Sequence, residues 1–439
     1  MLDIIFLREN VDEVRRKIAR KNADPKLVDR FLELDQKWRV ATKQLDDLRA
    51  EQRALSKKIA APGGGEPRPE ASSGRDAAKA KKEIIRIKES EHAELERDRE
   101  LVLMQIPNIP SEDTPIGKDE TENKVIRTWG EPTKFTFAPK DHVILGESLG
   151  LIESEKAGTI SGTRFAYLMG GLVRLQFALV QYALEVLGDE HIIKIIAEKI
   201  ALRYSAKPFM PVVPPTMIKP EIFQKMARLE PKDDRYYIPS DDVYLVGSAE
   251  HTLGPLHMDE TLTEDKFPIR YVGYSTSFRR EAGSYGQDTR GILRLHQFDK
   301  LEMESFTTPE NGVNEQNFFV AIQEYLMQSL KLPYQVVAIC TGDMSSPDVR
   351  QIDIETWMPG QNRYRETHTS DYVADYQSRR LGTRVKHKNN ETEFAHMNDA
   401  TVFAIGRTLI AIMENYQTED GKIRVPEILQ PYLKKEFIG

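Results

Sequence analysis

The chain has 439 residues, of which 40% are hydrophobic and 30% are charged, a balance typical of a folded globular protein and not of a disordered one. No stretch approaches the roughly 18 consecutive apolar residues of a membrane helix, and Asp3 and Arg8 precede any apolar signal segment, so we expect a cytoplasmic protein without membrane contact. The formal net charge of −7 gives no overall attraction to nucleic acid, and the single cysteine, Cys340, excludes an intramolecular disulfide and a cysteine-based zinc site.

The first predicted element is a long helix with a heptad seam. Its apolar or small residues follow a 4,3 spacing that continues to Leu55 and Ile59: Leu27, Phe31, Leu34, Trp38, Ala41, Leu45 and Leu48. Glycine and proline interrupt the helix over residues 61–75, APGGGEPRPEASSGR. A second helical run ends at IPNIP, residues 106–110, and has these residues near one face: Ala80, Ile84, Ile87, Leu95 and Val102. Together they predict an antiparallel coiled-coil hairpin over about residues 27–104, within an N-terminal domain of residues 1–110.

Basic residues gather at the tip of this predicted hairpin. The hairpin brings the end of the first helix to the start of the second, and the cations there are Lys57, Lys58, Arg75, Lys79, Lys81 and Lys82. A phosphate backbone attracts lysine and arginine irrespective of base sequence. The tip therefore favours RNA binding, with a solvated charged surface as the alternative.

From residue 111 the composition changes to a mixed α and β pattern, which predicts a second domain over residues 111–439. Residues 171–187 and 191–204 have helical periodicity. The sequence has no GxxxxGK[ST], no GxGxxG after a strand, no GxSxG and no HExxH. Any bound nucleotide must therefore be held by side chains presented from a sheet.

Two charged strands fit that requirement. Residues 269–281 and 293–306 alternate like strands and are joined by the loop AGSYGQDTRG. Because side chains of a strand alternate between its two faces, some charged and aromatic residues share a face. They are Arg279 and Glu281 on the first strand, and Arg294, Phe298 and Glu302 on the second.

The chemistry of these shared faces suits a nucleoside triphosphate and an amino acid. A guanidinium binds phosphate bidentately, a phenyl ring stacks on a purine, and a carboxylate accepts from an ammonium or an exocyclic amine. The alternative is an exposed ribbon with cross-strand salt bridges. We expect Arg280 and Lys300 on the opposite faces, in structural roles.

Residues 278–302, FRREAGSYGQDTRGILRLHQFDKLE, resemble motif 2 of the class II aminoacyl-tRNA synthetases, and most closely that of the seryl-tRNA synthetase family. VVPPTMIKP, with Pro214, resembles motif 1, and residues 404–433 resemble motif 3. The segments LVGSAEHTLGPLH, CTGDM, PGQNRYRETHT and DYQSRRL and the coiled-coil hairpin are similar to the same family, so the resemblance covers almost the whole chain. It implies an α+β fold in which an N-terminal antiparallel coiled-coil arm precedes a class II catalytic domain, built on a mainly antiparallel sheet flanked by helices.

The resemblance implies a role for each charged residue of motifs 2 and 3. Arg279 and Arg407 are the implied catalytic residues. Arg279 would hold the α-phosphate and the amino-acid carboxylate, while Arg407 would cover adenine and reach the terminal phosphates. Phe298 would stack on adenine, Glu281 would orient it, and Arg294 would meet the terminal phosphates. No protein nucleophile is implied, because the amino-acid carboxylate attacks directly.

The segment ETHT, residues 366–369, is implied to complete the ATP site together with Arg280. Glu366 resembles the family's ligand for the ATP-bound magnesium ion, with Thr369 nearby where the family usually has serine. Thr367 and His368 belong to the same implied set. His368 is unusual there, and we expect a loop side chain and not a base.

The implied serine pocket consists of Ser248, Ala249, Glu250, Arg279, Glu302 and Thr401. The family usually has threonine at position 248 and often serine at position 401, so the two are exchanged here. A site that hydrogen-bonds the substrate hydroxyl rejects alanine, whereas rejection of threonine depends on the space for one methyl group, worth about 1–3 kcal/mol. Asp399 and Ala400 stand where an Asn-Gly pair is common, which adds a negative charge that the sequence does not explain.

The resemblance as a whole implies that serine is activated with ATP and Mg²⁺ and joined to tRNA(Ser) held by the arm, in a homodimer without zinc. Whether tRNA(Sec) is a further acceptor stays open. One alternative is a non-catalytic RNA-binding paralogue, which the presence of Arg279, Arg294 and Arg407 disfavours. Another is a relative that activates an amino acid without tRNA, and such a protein would be expected to lack the arm.

Overall fold

The computed structural model describes residues 1–60, 69–200, 204–282 and 290–439, apart from the side chains of residues 58–60 and 69–77. Within these residues the chain forms two compact units, Met1–Pro107 and Asn108–Gly439. None of the helices in these ranges combines the length and apolar character that crossing a membrane requires. The centre of the predicted loop AGSYGQDTRG, residues 283–289, lies outside the described residues.

The described part of the first unit is helical, with α1 (Ile4–Glu9), α2 (Val11–Arg20), α3 (Lys26–Ala60) and α4 (Pro69–Gln105). Helices α3 and α4 are antiparallel: as the residue numbers increase along α3, the residue numbers of the contacting partners on α4 decrease. The contacts that show this are Asp35–Arg99 (2.8 Å), Thr42–His92 (2.9 Å) and Arg49–Glu89 (2.7 Å). The predicted antiparallel hairpin is confirmed. Residues 69–75, predicted as part of the break, instead begin α4, with Pro69 at a first position that tolerates proline.

The predicted seam is right for α3 and partly wrong for α4. The α3 residues from Leu27 to Leu48 at 4,3 spacing are all buried or half-buried. On α4, however, Ile84 and Ile87 are each 48% exposed. The buried or half-buried positions with heptad spacing are Lys81, Ile85, Lys88, His92, Leu95, Arg99 and Val102. Long basic side chains occupy this seam because their stems are apolar while their charges reach acids such as Asp35 on α3.

The second unit mixes helices and strands. Its described helices are α5 (His142–Ser148), α6 (Glu155–Ser161), α7 (Gly171–Gly188), α8 (Glu190–Glu198), α9 (Pro220–Lys225), α10 (Glu250–Leu253), α11 (Gly312–Ser329), α12 (Ser378–Leu381), α13 (Ile405–Asn415) and α14 (Gln430–Leu433). Its described strands are β1 (Lys124–Trp129), β2 (Ile152–Glu153), β3 (Tyr167–Leu168), β4 (Met210–Val212), β5 (Met217–Ile218), β6 (Tyr237–Ile238), β7 (Val243–Leu245), β8 (Thr261–Thr263), β9 (Ile269–Phe278), β10 (Gln297–Thr307), β11 (Tyr334–Ala338), β12 (Arg350–Met358), β13 (Arg363–Ala374), β14 (Arg384–Lys386), β15 (Thr392–Phe394), β16 (His396–Ala404), β17 (Ile423–Arg424) and β18 (Phe437–Ile438).

An eight-stranded sheet is the centre of this unit, in the order β1-β11-β12-β13-β16-β10-β9-β4. Neighbouring strands are antiparallel except β4 and β9, which are parallel at one edge. Helices α7, α11 and α13 pack against the sheet through an apolar core that includes Leu301 and Met303 of β10. The mainly antiparallel sheet flanked by helices is therefore confirmed. Alternate residues of β10 project to the opposite face, which we call the site face.

The predicted strand limits of motif 2 are too generous. Strand β9 ends at Phe278 and β10 begins at Gln297, so Arg279, Glu281 and Arg294 lie beyond the strands and not on them. Glu281 has φ of 55°, in the left-handed region, where a regular strand cannot continue. Only the residues of β10 itself follow the predicted alternation.

Candidate active site

A pocket opens on the site face, and we call it the site pocket. It is lined by β10, β13 and β16, by the first turn of α13, and by residues at both ends of the motif 2 loop. The predicted ATP-site residues that line it are Arg279, Glu281, Arg294, Phe298, Glu366, Thr367, Thr369 and Arg407, and Thr401 of the predicted serine pocket joins them. The fold thus brings together groups that are more than 100 residues apart in sequence.

The nucleotide end of the pocket combines cations, carboxylates and one aromatic ring. The Arg279 guanidinium lies 5.4 Å from the centre of the Phe298 ring. Arg294 Nη1 and Glu281 Oε2 form an ion pair at 2.5 Å, so these two residues meet although neither lies on a strand. Arg279 also donates from Nε to the carbonyl of Gly247 at 3.2 Å, which fixes its direction. Such a set suits the phosphates and the base of a nucleotide.

A β-bulge in β13 directs Glu366 and Thr369 to the same face. Both lie on the strand, although we expected a loop here, and they are three residues apart, a spacing that puts side chains on opposite faces of a regular strand. The register between β12 and β13 shifts at Thr367, the extra residue of the bulge. Glu366 and Thr369 therefore both line the site pocket, whereas His368 points away from it.

The oxygen atoms around Thr369 fit a hard cation. Thr369 Oγ1 donates to Asp353 Oδ1 at 2.7 Å, and Arg407 Nη1 lies 2.9 Å from Glu366 Oε1. The Glu366 side chain is 51% exposed; desolvation opposes its ionisation, but the Arg407 guanidinium lowers the pKa of that carboxyl below its ordinary value. Burial, followed by the charge of Glu366, raises the pKa of Asp353. Carboxylate and hydroxyl oxygens are ligands that Mg²⁺ accepts, so Glu366 and Thr369 fit the predicted magnesium site.

His368 is not brought to the site pocket. Its side chain is 1% exposed, and its Nδ1 lies 2.8 Å from Thr367 Oγ1, which in turn lies 2.7 Å from the hydroxyl of Thr356. Burial lowers the pKa of His368 to about 3, so the ring is neutral at pH 7. The expected loop side chain is in fact a buried strand residue, because the bulge turns it toward the core.

Two further residues of the predicted sets lie elsewhere. The Arg280 guanidinium lies 5.6 Å from the ring of Tyr236, and the residue is not among those that line the site pocket. Ala249 is fully buried in an apolar cluster with Met226 and Leu253. Neither side chain meets the other predicted ligands of ATP or serine.

At one end of the site pocket, which we call the amino-acid end, Lys300 and Thr401 line the pocket and the buried Ser248, Glu250 and Glu302 lie behind them in a chain of polar contacts. Lys300 Nζ donates to Ser248 Oγ at 3.2 Å, and Ser248 Oγ donates to Glu250 Oε2 at 3.2 Å. Lys300 Nζ also lies 2.7 Å from Glu302 Oε2, and Thr401 faces Glu302 across β10 and β16. Four of these five residues were predicted for the serine pocket.

Lys300 was expected on the opposite face, and that prediction is wrong. Residues 298, 300 and 302 are separated by steps of two, so Lys300 shares the site face with Phe298 and Glu302. It lines the site pocket and links Ser248 to Glu302. The alternation that correctly placed Phe298 and Glu302 on one face also puts Lys300 on that face.

The two glutamates of this end differ in their pKa values. Burial raises the pKa of Glu302 to about 8, although Lys300 opposes the shift. Burial acts in the same direction on Glu250, but Arg228 and then Lys300 lower the pKa of that carboxyl well below its ordinary value. At neutral pH one ionised and one mostly protonated glutamate therefore lie buried behind Lys300.

Arg228, which no sequence pattern indicated, is a further buried residue beside these groups. Its Nη2 lies 3.1 Å from both Asp371 Oδ2 and Asp399 Oδ2, and its Nε lies 3.3 Å from Glu250 Oε1. Asp371 and Asp399 lie 143 and 171 residues further along the chain, so no local pattern could connect them. Burial and then the charge of Glu250 raise the pKa of Asp399 well above its ordinary value, and the Arg228 guanidinium acts against that shift. The acidic residue that the sequence left unexplained is thus a partner of Arg228.

Comparisons with known proteins agree with this geometry. Residues 235–416 match the class II core domain of tRNA synthetases (G, H, P, S and T), and residues 1–110 match the seryl-tRNA synthetase N-terminal domain. A serine–tRNA ligase of Petrotoga mobilis is 37% identical, with 100% of both chains covered. The chain belongs to the seryl-tRNA synthetase family. The resemblance predicted from the sequence is thereby confirmed.

Two solved structures of the seryl-tRNA synthetase family have the same architecture along the whole chain. The enzyme of Pyrococcus horikoshii, solved with ATP, is 34% identical with a TM-score of 0.88 and covers 100% of this chain and 99% of its own. The cytoplasmic serine–tRNA ligase of Naegleria fowleri, solved with AMP, is 33% identical with a TM-score of 0.83 and covers 100% of this chain and 98% of its own. The arm and the catalytic fold thus occur together in these relatives.

In this member of the seryl-tRNA synthetase family, the predicted tip cations are only partly described. Lys57, Lys79 and Lys82 are exposed on α3 and α4. Lys81 is less exposed and forms an ion pair with Glu51 of α3. The side chains of Lys58 and Arg75 lie outside the described residues. Of the four predicted RNA contacts whose side chains the structure describes, three are therefore exposed to solvent.

Proposed function

We propose that this protein is a serine–tRNA ligase, which activates L-serine with ATP to seryl-adenylate and transfers serine to the 3′ end of tRNA(Ser). The observation that carries the proposal is the junction within the site pocket. There Lys300 lines the pocket beside the cations and aromatic ring of a nucleotide site, and it contacts the buried Glu302 and, through Ser248, the buried Glu250. Membership of the family and the ATP and AMP complexes of two relatives support it.

In the first step of the proposed reaction, the serine carboxylate attacks the α-phosphorus of ATP. The bond from that phosphorus to the bridging oxygen breaks, and pyrophosphate leaves. Arg279 binds both the carboxylate and the α-phosphate, so it aligns the reacting atoms and compensates the charge that develops between them. Arg294 leaves its ion pair with Glu281 and binds the terminal phosphates, which Arg407 also contacts. Phe298 stacks on adenine.

Glu366 and Thr369 would hold a magnesium ion together with phosphate oxygens and water. When bound, the ion would neutralise charge on the phosphates and favour departure of pyrophosphate. The Arg407 guanidinium beside Glu366 keeps that carboxyl ionised, which is the form a magnesium ligand needs. Asp353 supports the site by accepting the hydrogen bond of the Thr369 hydroxyl.

The amino-acid end would recognise serine by its ammonium and hydroxyl groups. Glu250 stays ionised and accepts from the α-ammonium. Glu302, with a pKa raised to about 8 by burial, carries a proton at neutral pH. Its carboxyl can then both donate to and accept from the serine hydroxyl. Alanine would leave these buried groups unpaired, so we expect it to be rejected.

In the second step, the 3′ hydroxyl of tRNA attacks the seryl carbonyl and AMP leaves. We assign tRNA binding to residues 1–110, with the exposed tip cations Lys57, Lys79 and Lys82 against the phosphate backbone. Residues 111–439 form the catalytic domain in this proposal. Because tRNA and ATP are the substrates, we propose a cytoplasmic location.

We further propose a homodimer that uses the motif 1 segment. Strand β4 lies at the edge of the large sheet; Met210 of this strand is 62% exposed, and Val213, which follows it, is 83% exposed. Exposed apolar residues beside a free strand edge are typical of an interface between subunits. Sedimentation of the unaltered protein would test this assembly.

The first test is amino-acid-dependent ATP–pyrophosphate exchange with serine, threonine, alanine and glycine. We expect exchange with serine and at most weak exchange with the other three. A protein without exchange for any of them would be the non-catalytic RNA-binding alternative. A preference for threonine would overturn the assigned substrate, and exchange without charging of tRNA(Ser) or tRNA(Sec) would favour the tRNA-independent alternative.

Deletion of residues 40–95, bridged by a short glycine linker, tests the assignment of the arm. We expect serine-dependent exchange within about twofold of the unaltered protein and aminoacylation of tRNA(Ser) lower by at least about 100-fold, because each lost phosphate contact weakens binding. The exchange rate of the same preparation is the control for folding. Unchanged aminoacylation would show that the basic tip is only a solvated surface.

A further inference from the structure

We propose, building on the proposed serine–tRNA ligase function, that Arg228 is a positioning residue for amino-acid binding. It would hold the carboxylates of Glu250 and Asp399 in the arrangement that receives the ammonium group of serine. Arg228 follows α9 and lies outside every sequence motif discussed above. Its removal should therefore weaken the binding of serine and leave that of ATP unchanged.

The contacts of Arg228 join four separate segments of the chain. Its guanidinium reaches Glu250 of α10 at 3.3 Å, Asp371 of β13 at 3.1 Å and Asp399 of β16 at 3.1 Å. A fourth carboxylate, Asp348, lies 3.6 Å away. The side chain is only 10% exposed, so these interactions are poorly screened. Loss of one buried partner in such a group leaves uncompensated charges.

The arrangement of the carboxylates connects Arg228 to the substrate. Oxygen atoms of Glu250, Glu302 and Asp399 lie within 4.8 Å of one another, and all three residues are buried. Carboxylates at this distance repel one another strongly when they are ionised. Arg228 contacts two of them, and Lys300 contacts the third. The guanidinium holds Glu250 and Asp399 close together and opposes the protonation of both.

Glu304 is a further buried carboxyl group beside Asp399, and burial and then the charge of Glu250 raise its pKa well above the ordinary value. It is 1% exposed and faces Asp399 directly across β10 and β16. Among the described residues, neither of its carboxylate oxygens has a hydrogen-bond partner. Serine brings only one positive charge to this acidic end. We therefore expect Glu250 and Asp399 to be correctly placed for that charge only when Arg228 is present.

Asp399 and Arg228 form a compensating pair. Asp399 Oδ2 lies 3.1 Å from Arg228 Nη2, and while burial and Glu250 raise the pKa of Asp399, the Arg228 guanidinium favours its ionised form. A carboxylate buried without this guanidinium would be costly. The two residues should therefore act as a unit, and a change of one should alter the effect of changing the other.

The test is steady-state ATP–pyrophosphate exchange with Arg228→Gln, Arg228→Lys and the double variant Arg228→Gln with Asp399→Asn. We expect Arg228→Gln to raise the KM for serine at least tenfold and to change the KM for ATP by less than twofold. Arg228→Lys keeps the charge but loses the forked geometry, so its KM for serine should be intermediate. The double variant should have a lower KM for serine than Arg228→Gln alone.

Arg270→Gln is the matched control. Arg270 is also buried, and its Nε and Nη2 donate to both oxygens of the buried Glu315 at 2.7 and 2.8 Å, away from the site pocket. We expect this variant to lower Tm without changing the KM for serine. If Arg228→Gln lowered Tm in the same way and left the KM for serine unchanged, Arg228 would be merely structural.

The remaining outcomes separate this inference from the proposed function. Equal increases in the KM values for serine and ATP would overturn a role specific to the amino acid. A double variant no better than Arg228→Gln would overturn the coupling to Asp399. If Arg228→Gln did not fold, the same comparison would be made between Arg228→Lys and Arg228→Lys with Asp399→Asn. Absence of serine-dependent exchange in the unaltered protein would overturn the proposed function and this inference together.

Discussion

The two ends of the site pocket hold their charges in different ways. At the nucleotide end, Arg294 pairs with Glu281, only 13 residues away, and its side chain is 30% exposed. At the amino-acid end, Arg228 and Asp399 are almost fully buried and come from distant segments. Exposed pairs are weak because water screens them, whereas buried pairs are strong and costly to break. At the nucleotide end, arginines can therefore give up their ion pairs and bind phosphates. At the amino-acid end, the ion pairs hold the side chains in place before serine binds.

The largest expected effect is at the nucleotide end. We expect Arg279→Gln to lower kcat/KM for serine-dependent exchange by about 10²–10³-fold, because a preorganised cation at the reacting phosphate is lost. Arg424→Gln is the control, since the Arg424 guanidinium lies 5.5 Å from the ring of Phe437, away from the pocket, as Arg279 lies 5.4 Å from Phe298. That variant should stay within about twofold.

If Arg279→Gln stayed within about tenfold of the unaltered enzyme, the contrast between the two ends would fail. The reacting phosphate would then be stabilised elsewhere, and the exposed cations would serve only to attract ATP. Measurement of the KM for ATP alongside kcat separates these roles, because loss of attraction alone raises KM without lowering kcat.

The two ends also differ in how far the sequence predicts them. Alternation along β10 placed Phe298 and Glu302 correctly, since both lie on one regular strand. His368 was expected in a loop and is instead a buried residue of β13, beside a bulge at Thr367 that depends on the neighbouring strand. The predicted end of the first strand at Glu281 is wrong, because Glu281 has a left-handed backbone conformation that a glutamate side chain does not indicate.

Most contacts of the buried amino-acid end could not be predicted from the sequence, for a different reason. Arg228 meets Asp371 and Asp399 only because β13 and β16 are neighbours in the sheet, which is a property of the tertiary fold. Sequence periodicity reports which face of an element is buried, but not which charges meet there. The resemblance to a family supplied Glu250 and Glu302, whereas Arg228 lies outside the motifs that carry that resemblance.

A smaller effect, on the discrimination between serine and threonine, tests whether the amino-acid end is rigid. Thr401 is 2% exposed, faces Glu302 and lines the site pocket. Thr401→Ser removes a methyl group from a site that cannot easily collapse, so we expect kcat/KM for threonine relative to serine to rise about tenfold. Ser248→Thr adds a methyl group nearby and should lower the same ratio. A ratio unchanged in both variants would show that this end adapts its shape to the substrate.

The smallest expected effect concerns stability and pH. Burial raises the pKa of Glu302 from 4.5 to about 8. Between pH 4.5 and about 8, this carboxyl is therefore protonated in the folded state and ionised in the unfolded state. Its contribution to stability is then complete below pH 4.5 and is lost as pH rises through about 8. We expect the free energy of unfolding in urea, free of ligands, to fall between about pH 5.5 and 8.5, by less in Glu302→Gln.

Glu366 provides the matched comparison from the nucleotide end. The pKa of Glu366 is lowered, against the effect of burial, by Arg407, so its contribution to stability is lost only as pH falls below the ordinary glutamate value. Glu366→Gln should therefore keep the pH dependence of the unaltered protein between about pH 5.5 and 8.5. If both variants had the same slope, the ionisation of the two ends would not differ in the folded protein, and the difference in burial would have no energetic consequence.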